Sequence, residues 1–422
     1  MQNKIIHPSF GDLSSFEAVK MSKEPLLTDE NYIEDESILI HLTVTGRCYA
    51  RCIGCVNSAV TMGNDSPRDS LETCQETEPE QDSKIIELLT KRHPDKAITV
   101  CFYGGEPFLA LDKMQQVWKI LRAYDTEKKF RFLVYTNGEL LIDALRLYSE
   151  FMKDIWVYSV SIDGSEEQHN RVRQGTRLGK ILKNLKMLSS HYEGNILFWS
   201  TLRESQSLYD CFEEFFKLYK KKLVNHFFWH WAEDRKPFLD FSSYAIRYGQ
   251  ELEQIMSIYV QEISKGKLLP ITHINELILY FLTGKERGHS ACGVEVSKNY
   301  DIVSSEVYPC ADLPSNLSIG KLDKSEHLEL RDFDLSSLVD YKNRLGCYRC
   351  GVHAYCGGRC PVQVIAGSWQ RTLQYCQLMR LHVGIVQENV DGIINYIRKN
   401  GISLQDIYDR SAFLAKYTDV VP

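Results

Sequence analysis

The chain has 422 residues, of which 44% are hydrophobic and 25% charged, a globular balance that excludes disorder or a coiled coil as the main state. The net charge is −6, so nothing favours a nucleic-acid backbone or an anionic membrane as a partner. The first thirty residues hold acidic and polar groups throughout, without a secretory apolar stretch, and no run approaches the ~20 apolar residues of a membrane span. A cytoplasmic location is therefore expected, and against it stand 13 cysteines. In a reducing compartment, clustered cysteines are more often metal or redox ligands than disulfides.

Residues 1–36 lack periodicity and read as an irregular lead-in. A β run follows at 38–44 (ILIHLTV), then Thr45-Gly46-Arg47 and a first cysteine group. Residues 62–83 are acidic and read as a solvated loop. From there strand-like runs at 97–103, 130–136, 155–162, 195–201 and 224–231 alternate with helical patterns at about 110–124, 139–152, 178–190 and 205–222. Alternation at this spacing argues for βαβ units and a parallel sheet. Six strands are too few for a closed eight-stranded barrel, so an open or partial barrel is expected. A helical region runs to about 283, and 292–376 is rich in Cys and Gly with little periodicity. The expected division is a lead-in (1–36), a barrel (37–284), a cysteine-rich domain (285–380) and a helical tail (381–422).

Cys74, Cys101 and Cys211 stand alone, and Cys101 reads as a small core residue. Cys48, Cys52 and Cys55 lie within eight residues directly after the first strand. Such a group can wrap one iron–sulfur cube and leave its fourth iron open, or form part of a zinc site. Tyr103-Gly104-Gly105-Glu106-Pro107 closes the second strand, where glycines let backbone approach a ligand and a carboxylate can take an ammonium group. Tyr135-Thr136-Asn137-Gly138 closes the third strand. Ser159-Val160-Ser161-Ile162-Asp163-Gly164 closes the fourth, followed by His169-Asn170-Arg171-Val172-Arg173.

This ordered set resembles the radical S-adenosylmethionine (SAM) enzymes, whose fold is a partial (β/α)6 barrel. The resemblance implies that Cys48, Cys52 and Cys55 ligate a SAM-cleaving 4Fe–4S cluster. It also implies that Gly104, Gly105 and Glu106 hold the SAM amino group, Ser161 the ribose region and Arg173 the SAM carboxylate. Many relatives carry an aromatic residue near the adenine just before the third cysteine. Here that place is Gly54.

The remaining cysteines are Cys292, Cys310, Cys347, Cys350, Cys356, Cys360 and Cys376. Seven thiolates could form two zinc sites lacking one ligand. The run C-x2-C-x5-C-x3-C-P with flanking single cysteines resembles instead the SPASM domain, which carries two auxiliary 4Fe–4S clusters. The resemblance assigns Cys347, Cys350, Cys356 and Cys376 to auxiliary cluster II, and Cys292, Cys310 and Cys360 to cluster I. Tyr308-Pro309-Cys310 and the segment 319–322 fit it, whereas Ser305 replaces a glycine. Fully ligated relatives have a further cysteine where Glu286 stands here, so cluster I has three thiolates in reach. Its fourth iron is expected to be open or exchangeable, with His289 as the next candidate ligand. The resemblance covers about residues 37–380.

Together these features imply a radical SAM/SPASM maturase that modifies a ribosomally made precursor peptide, with SAM and three 4Fe–4S clusters as cofactors. An anaerobic sulfatase maturase forming formylglycine is the alternative within the same chemistry, and a non-catalytic iron–sulfur or zinc protein the alternative outside it. The expected partners are the precursor peptide, a separate small leader-recognition protein unless the barrel and SPASM surfaces do that work, and an electron donor such as flavodoxin or ferredoxin. Glu233 and Asp234 end an aromatic strand and could meet the substrate; a solvated strand end is the plainer reading. The residues do not single out a catalytic base.

Overall fold

A computed structural model describes residues 26–27, 31–55, 76–125, 129–290, 292–296, 299–312, 318–323, 325–331 and 338–418. Most of the lead-in, most of the acidic stretch 62–83 and Cys74 lie outside the described residues.

Strands of a parallel sheet covered on both faces read as near-continuous apolar runs, and β1 (Ile38–Thr45) is buried along its whole length. It is followed by β2 (Ile98–Gly104), β3 (Phe130–Thr136), β4 (Ile155–Ser161), β5 (Asn195–Leu202) and β6 (His226–Trp231). Each pairs in parallel with its neighbour in sequence. Helices return the chain between them, among them Pro79–Arg92, Leu111–Tyr124, Leu178–Leu188 and Leu208–Lys220. This is the expected α/β partial barrel. One helix differs: the pattern at 139–152 is two short helices, Leu141–Leu147 and Ser149–Asp154. They are broken at Tyr148, whose backbone leaves helical geometry and whose hydroxyl donates to Asp112 at 2.6 Å.

Side chains alternate between the two faces. The outward set, including Ile40, Val100, Phe132, Tyr158, Phe198 and Trp229, joins the helices in one large core. The inward set meets in a second core. Leu39, Cys101, Leu133, Val157, Leu197 and Phe228, one from each barrel strand, close the floor together with Leu414 and Tyr417 from the C-terminal turn Ala412–Tyr417. Tyr417 is fastened there by its hydroxyl, which donates to Asp35 at 2.6 Å, lies 2.7 Å from Ser37 Oγ and accepts from Arg131 at 2.8 Å.

The sheet does not end with the barrel. β7 (Asn299–Val303) pairs in parallel with the free edge of β1, and β8 (Glu306–Tyr308), β9 (Gly320–Leu322) and β10 (Leu328–Leu330) continue antiparallel, giving the order β10-β9-β8-β7-β1-β2-β3-β4-β5-β6. The helix Thr272–Thr283 ends on a left-handed Gly284, next to the expected boundary near 285, yet hydrogen bonding of the sheet crosses that point. The expected limit at 380 falls inside one unbroken helix, Trp369–Asn400, which carries Cys376. The turn between β7 and β8 is Ser304-Ser305, both at positive φ (50° and 60°). That two-residue geometry favours glycine, and Ser305 Oγ is held instead by Asp82 at 2.8 Å. No described helix is long and apolar enough to cross a membrane.

Candidate functional site

The loop bearing Cys48, Cys52 and Cys55 leaves β1 and is bound to the end of β2 through backbone. Gly105 N–H donates to Thr45 O and Glu106 N–H to Arg47 O, both at 2.8 Å. A Cβ on Gly105 would overlap the Arg47 and Gly46 carbonyls, and Gly104 sits at φ +125° against Thr45. In the described structure, then, these glycines accommodate the backbone of the cysteine loop, a partner that the sequence reading, which had a ligand in view, did not name. Gly54 has φ +60°, a conformation an aromatic side chain would strain. The carbonyl of Ile53 accepts from Arg203 Nε.

Glu106 is 1% exposed. Its carboxylate accepts from Thr136 Oγ1 at 2.8 Å, Asn137 N–H at 2.8 Å and Phe108 N–H at 3.3 Å. Burial nevertheless pushes it up to about 7, since these donors are neutral. Beside it the buried Asn137 Nδ2 has no hydrogen-bond partner among the described residues, while Asn137 Oδ1 accepts from Tyr49 of the cysteine loop at 2.7 Å. A buried carboxylate next to an unused amide donor is a fitting seat for an ammonium-bearing ligand with a nearby acceptor.

Arg173 follows the fourth motif and is 9% exposed. Asp163 binds it at Nε (2.8 Å) and Nη2 (3.1 Å), Thr201 Oγ1 accepts from Nη2 at 3.2 Å, and Asp163 also accepts from Arg203 Nη1 at 2.8 Å. The segment Arg173–Gln174 pairs with Arg51–Cys52, which brings Arg173 to the first cysteine group, and Arg203 reaches it through the Ile53 carbonyl. Burial raises the Cys52 thiol, and Arg173 and Arg203 work against that. Ser161 is half-buried at the end of β4, opposite Trp199.

Above the barrel floor, the inner face turns polar and aromatic. His41 Nδ1 lies 2.8 Å from Asp301 of β7, with Tyr103 and Tyr135 packed at ring-centre distances of 5.7 and 6.3 Å. His230 Nε2 meets Thr201 Oγ1 at 2.9 Å, and burial takes this ring down to about 3, so it is neutral at ordinary pH. Among the described residues, Thr43 Oγ1, Ser159 Oγ and His230 Nδ1 are buried here without hydrogen-bond partners.

The seven C-terminal cysteines separate into two groups. Cys292, Cys310 and Cys360 pack around Val294, Leu338 and Val362, and their thiols influence one another. Cys347, Cys350, Cys356 and Cys376 form the other group: burial and then Cys356 and Cys350 push Cys347 up to about 12, and burial followed by the other three raises Cys376. Thiols held this high become thiolates only where a cation lies among them, which a metal centre supplies. Among the described residues no three His, Cys, Asp or Glu side chains form a group that could hold a single metal ion; around a cube each thiolate takes its own iron. His289 Nδ1 is 2.6 Å from Ser290 O.

Glu233 is not a solvated strand end: it is 3% exposed and bound to Arg359 Nη2 at 3.1 Å. Asp234 N–H donates to Gln363 at 3.0 Å. The sequence reading missed Arg203, the His41–Asp301 pair and Arg359. Only Asp163, already inside a motif, gave a local signal.

Residues 42–201 match the family profile described as the radical SAM superfamily. No curated protein sequence matches the chain significantly. Among solved structures, anSMEcpe with bound AdoMet is similar at a TM-score of 0.63 and 17% identity, covering 85% of this chain and 99% of that one. The same protein with AdoMet and the Cp18Cys peptide gives 0.61 at 17%, over 85% and 99%. Streptococcus suis SuiB bound to S-adenosylmethionine gives 0.52 at 15%, over 78% and 72%. At these identities the likeness is one of fold.

Proposed function

From the premise that residues 42–201 are a domain of the radical SAM superfamily, we propose that the chain is a SAM-dependent maturase with two auxiliary 4Fe–4S clusters, acting on a ribosomally made peptide. The observation that carries this reading is the separation of seven C-terminal thiols into two groups, with Cys310 just past β8 of the extended sheet and Cys347 to Cys376 on the helical segments that follow it. A non-catalytic metal protein has no use for the buried Glu106 seat beside the first cysteine group.

Cys48, Cys52 and Cys55 would hold a 4Fe–4S cluster, which would supply the one-electron reduction needed for reductive cleavage of SAM. The chain's own residues position the reactants. Glu106 receives the ligand ammonium, and its ionised form is stabilised when it does so. Asp163 and Thr201 occupy Nε and Nη2 of Arg173, which among the described residues leaves Nη1 to meet a ligand carboxylate. Ser161, half-buried at the end of β4, would meet the ribose. The inner wall of His41, Tyr103, Tyr135, Trp199 and His230 encloses the reacting residue and keeps water from the radical. Cys292, Cys310 and Cys360 would hold cluster I with one iron open to a substrate thiol, ahead of His289. The precursor peptide, a small leader-recognition protein and a flavodoxin or ferredoxin are the partners this reading calls for.

The test is anaerobic reconstitution followed by reaction with a candidate precursor peptide and mass analysis. A SAM-dependent mass change on a Cys-containing precursor supports the reading. Conversion of a sulfatase Cys or Ser peptide to formylglycine, with no change on the precursor, replaces it by the sulfatase-maturase alternative.

A further inference from the structure

The two C-terminal thiol groups lie in opposite electrostatic surroundings. Among the described residues the charges acting on Cys292, Cys310 and Cys360 are mostly carboxylates, with Arg359 reaching Cys360. Asp301 accepts the backbone N–H of Ala311, next to Cys310, at 2.7 Å, and Asp301, Asp312 and Glu233 all bear on these thiols. Glu295 binds Ser290, whose Oγ is 3.9 Å from Cys292 Sγ. On the side of Cys347, Cys350, Cys356 and Cys376 the neighbours are cations. Arg380 Nη2 donates to Cys350 Sγ at 3.4 Å, Lys342 acts on Cys347, and Arg359 acts on Cys376.

Two buried ion pairs join the two sides in the same sense. Arg359 Nη2 lies 3.1 Å from Glu233 Oε1, and Lys342 Nζ lies 2.9 Å from Glu295 Oε1. Arg359 stands between Cys356 and Cys360 in sequence, and its guanidinium covers the ring of Tyr375, next to Cys376, at 4.8 Å. Arg371, a second cation near Glu233, stacks on the same Tyr375 ring at 4.8 Å. In both pairs the carboxylate belongs to the first group's side, while Lys342 belongs to the second's and Arg359 lies between the groups, acting on Cys356 ahead of Cys360.

A cluster gains negative charge on reduction, so nearby cations and N–H···S bonds raise its potential and carboxylates lower it. We infer that the Glu233–Arg359 and Glu295–Lys342 pairs, with the Arg380–Cys350 hydrogen bond, set a cluster on Cys347, Cys350, Cys356 and Cys376 at a higher reduction potential than one on Cys292, Cys310 and Cys360. At equilibrium one added electron therefore resides on the second group. The inference rests on the proposed reading that each group holds a 4Fe–4S cluster.

The experiment is a redox titration followed by EPR on the full chain carrying Cys48→Ala, Cys52→Ala and Cys55→Ala, so that only the auxiliary clusters report. Two reduction waves are expected. Arg380→Gln should shift the higher wave down and leave the lower in place, with Arg380→Lys restoring most of the shift. Glu295→Gln should shift the lower wave up. If Arg380→Gln loses a cluster, Lys342→Gln gives the same reading, a fall of the higher wave. Iron for fewer than two clusters overturns the cofactor reading and this inference with it. Two clusters with coincident waves, or an Arg380→Gln variant that moves the lower wave or neither, overturns this inference alone.

Discussion

Asp163 grips Arg173 at two points, accepting Nε at 2.8 Å and Nη2 at 3.1 Å, within a site where its own side chain has no exposure. Burial alone would raise this carboxyl, but Arg173 and Arg203 outweigh it and hold it well below the usual carboxylate range. The same carboxylate accepts the Thr201 N–H at 2.9 Å, which makes it the hub between β4, β5 and the first cysteine loop.

Removing that hub strands two buried guanidiniums. Asp163→Ala should destabilise the fold by about 3–5 kcal/mol, measured by denaturant titration of the metal-free chain. A folded-state value below the unfolded one means the contribution is fully present above about pH 4 and is lost only as pH falls further. A loss that is instead greatest near neutral pH and absent in acid would contradict this placement.

Glu106 behaves in the opposite sense. Its value near 7 lies above that of the unfolded chain, so its burial costs nothing below about pH 4, costs progressively more up to about 7, and is constant beyond. A ligand ammonium favours the ionised form. SAM affinity should therefore strengthen as pH rises from 6 to 8, in a way that Glu106→Gln removes. That variant should bind SAM about 10- to 100-fold more weakly at pH 8, the loss of one hydrogen bond to a charged group. The other ionisable neighbours are Glu139 and Tyr49, and Glu139→Gln should leave the pH profile in place. Calorimetry at three pH values checks both points.

Gly105→Ala tests what the glycine is for. The added methyl meets backbone, which cannot rotate away, so the cysteine loop must shift at about 1–3 kcal/mol. The expected outcome is a folded protein that retains iron for the C-terminal groups and loses it at Cys48, Cys52 and Cys55. Unchanged iron content and circular dichroism together would show that the loop does not depend on this contact.

The barrel floor gives a prediction independent of any cofactor. Leu414 is fully buried against six strands, and Leu414→Ala should cost about 2–5 kcal/mol. Tyr417→Phe, which keeps the ring and removes the hydroxyl bonds to Asp35, Ser37 and Arg131, should cost about 1–3 kcal/mol. Thermal unfolding of the metal-free chain reads both.

The barrel strands were legible because runs such as Ile38–Thr45 carry an apolar residue at every second position and are buried along their whole length, and the cysteine groups because thiol spacing is itself the signal. The extension β7–β10 was not, since strands of three to five residues leave no period to read. Nor was the floor plug, where Leu414 and Tyr417 look like any turn residues until the strands they cover are in place. The ion pairs were hidden by separation along the chain: Glu233 meets Arg359 across 126 positions and Lys342 meets Glu295 across 47. Nothing local marks Glu233 as buried, so its solvated reading was reasonable and mistaken. At Gly105 the sequence pointed to a close approach but could not say that the approaching group is the Arg47 carbonyl.

The measurement that bears most directly on the whole account is 5′-deoxyadenosine formation by the anaerobically reconstituted chain, given SAM and a one-electron reductant. The account predicts that the intact chain forms 5′-deoxyadenosine, and that the variant carrying Cys48→Ala, Cys52→Ala and Cys55→Ala forms none while keeping iron for about two clusters, the pair of cubes that the remaining thiols can hold. Absence of 5′-deoxyadenosine from the intact, iron-loaded chain, or its persistence in the triple variant, would contradict it.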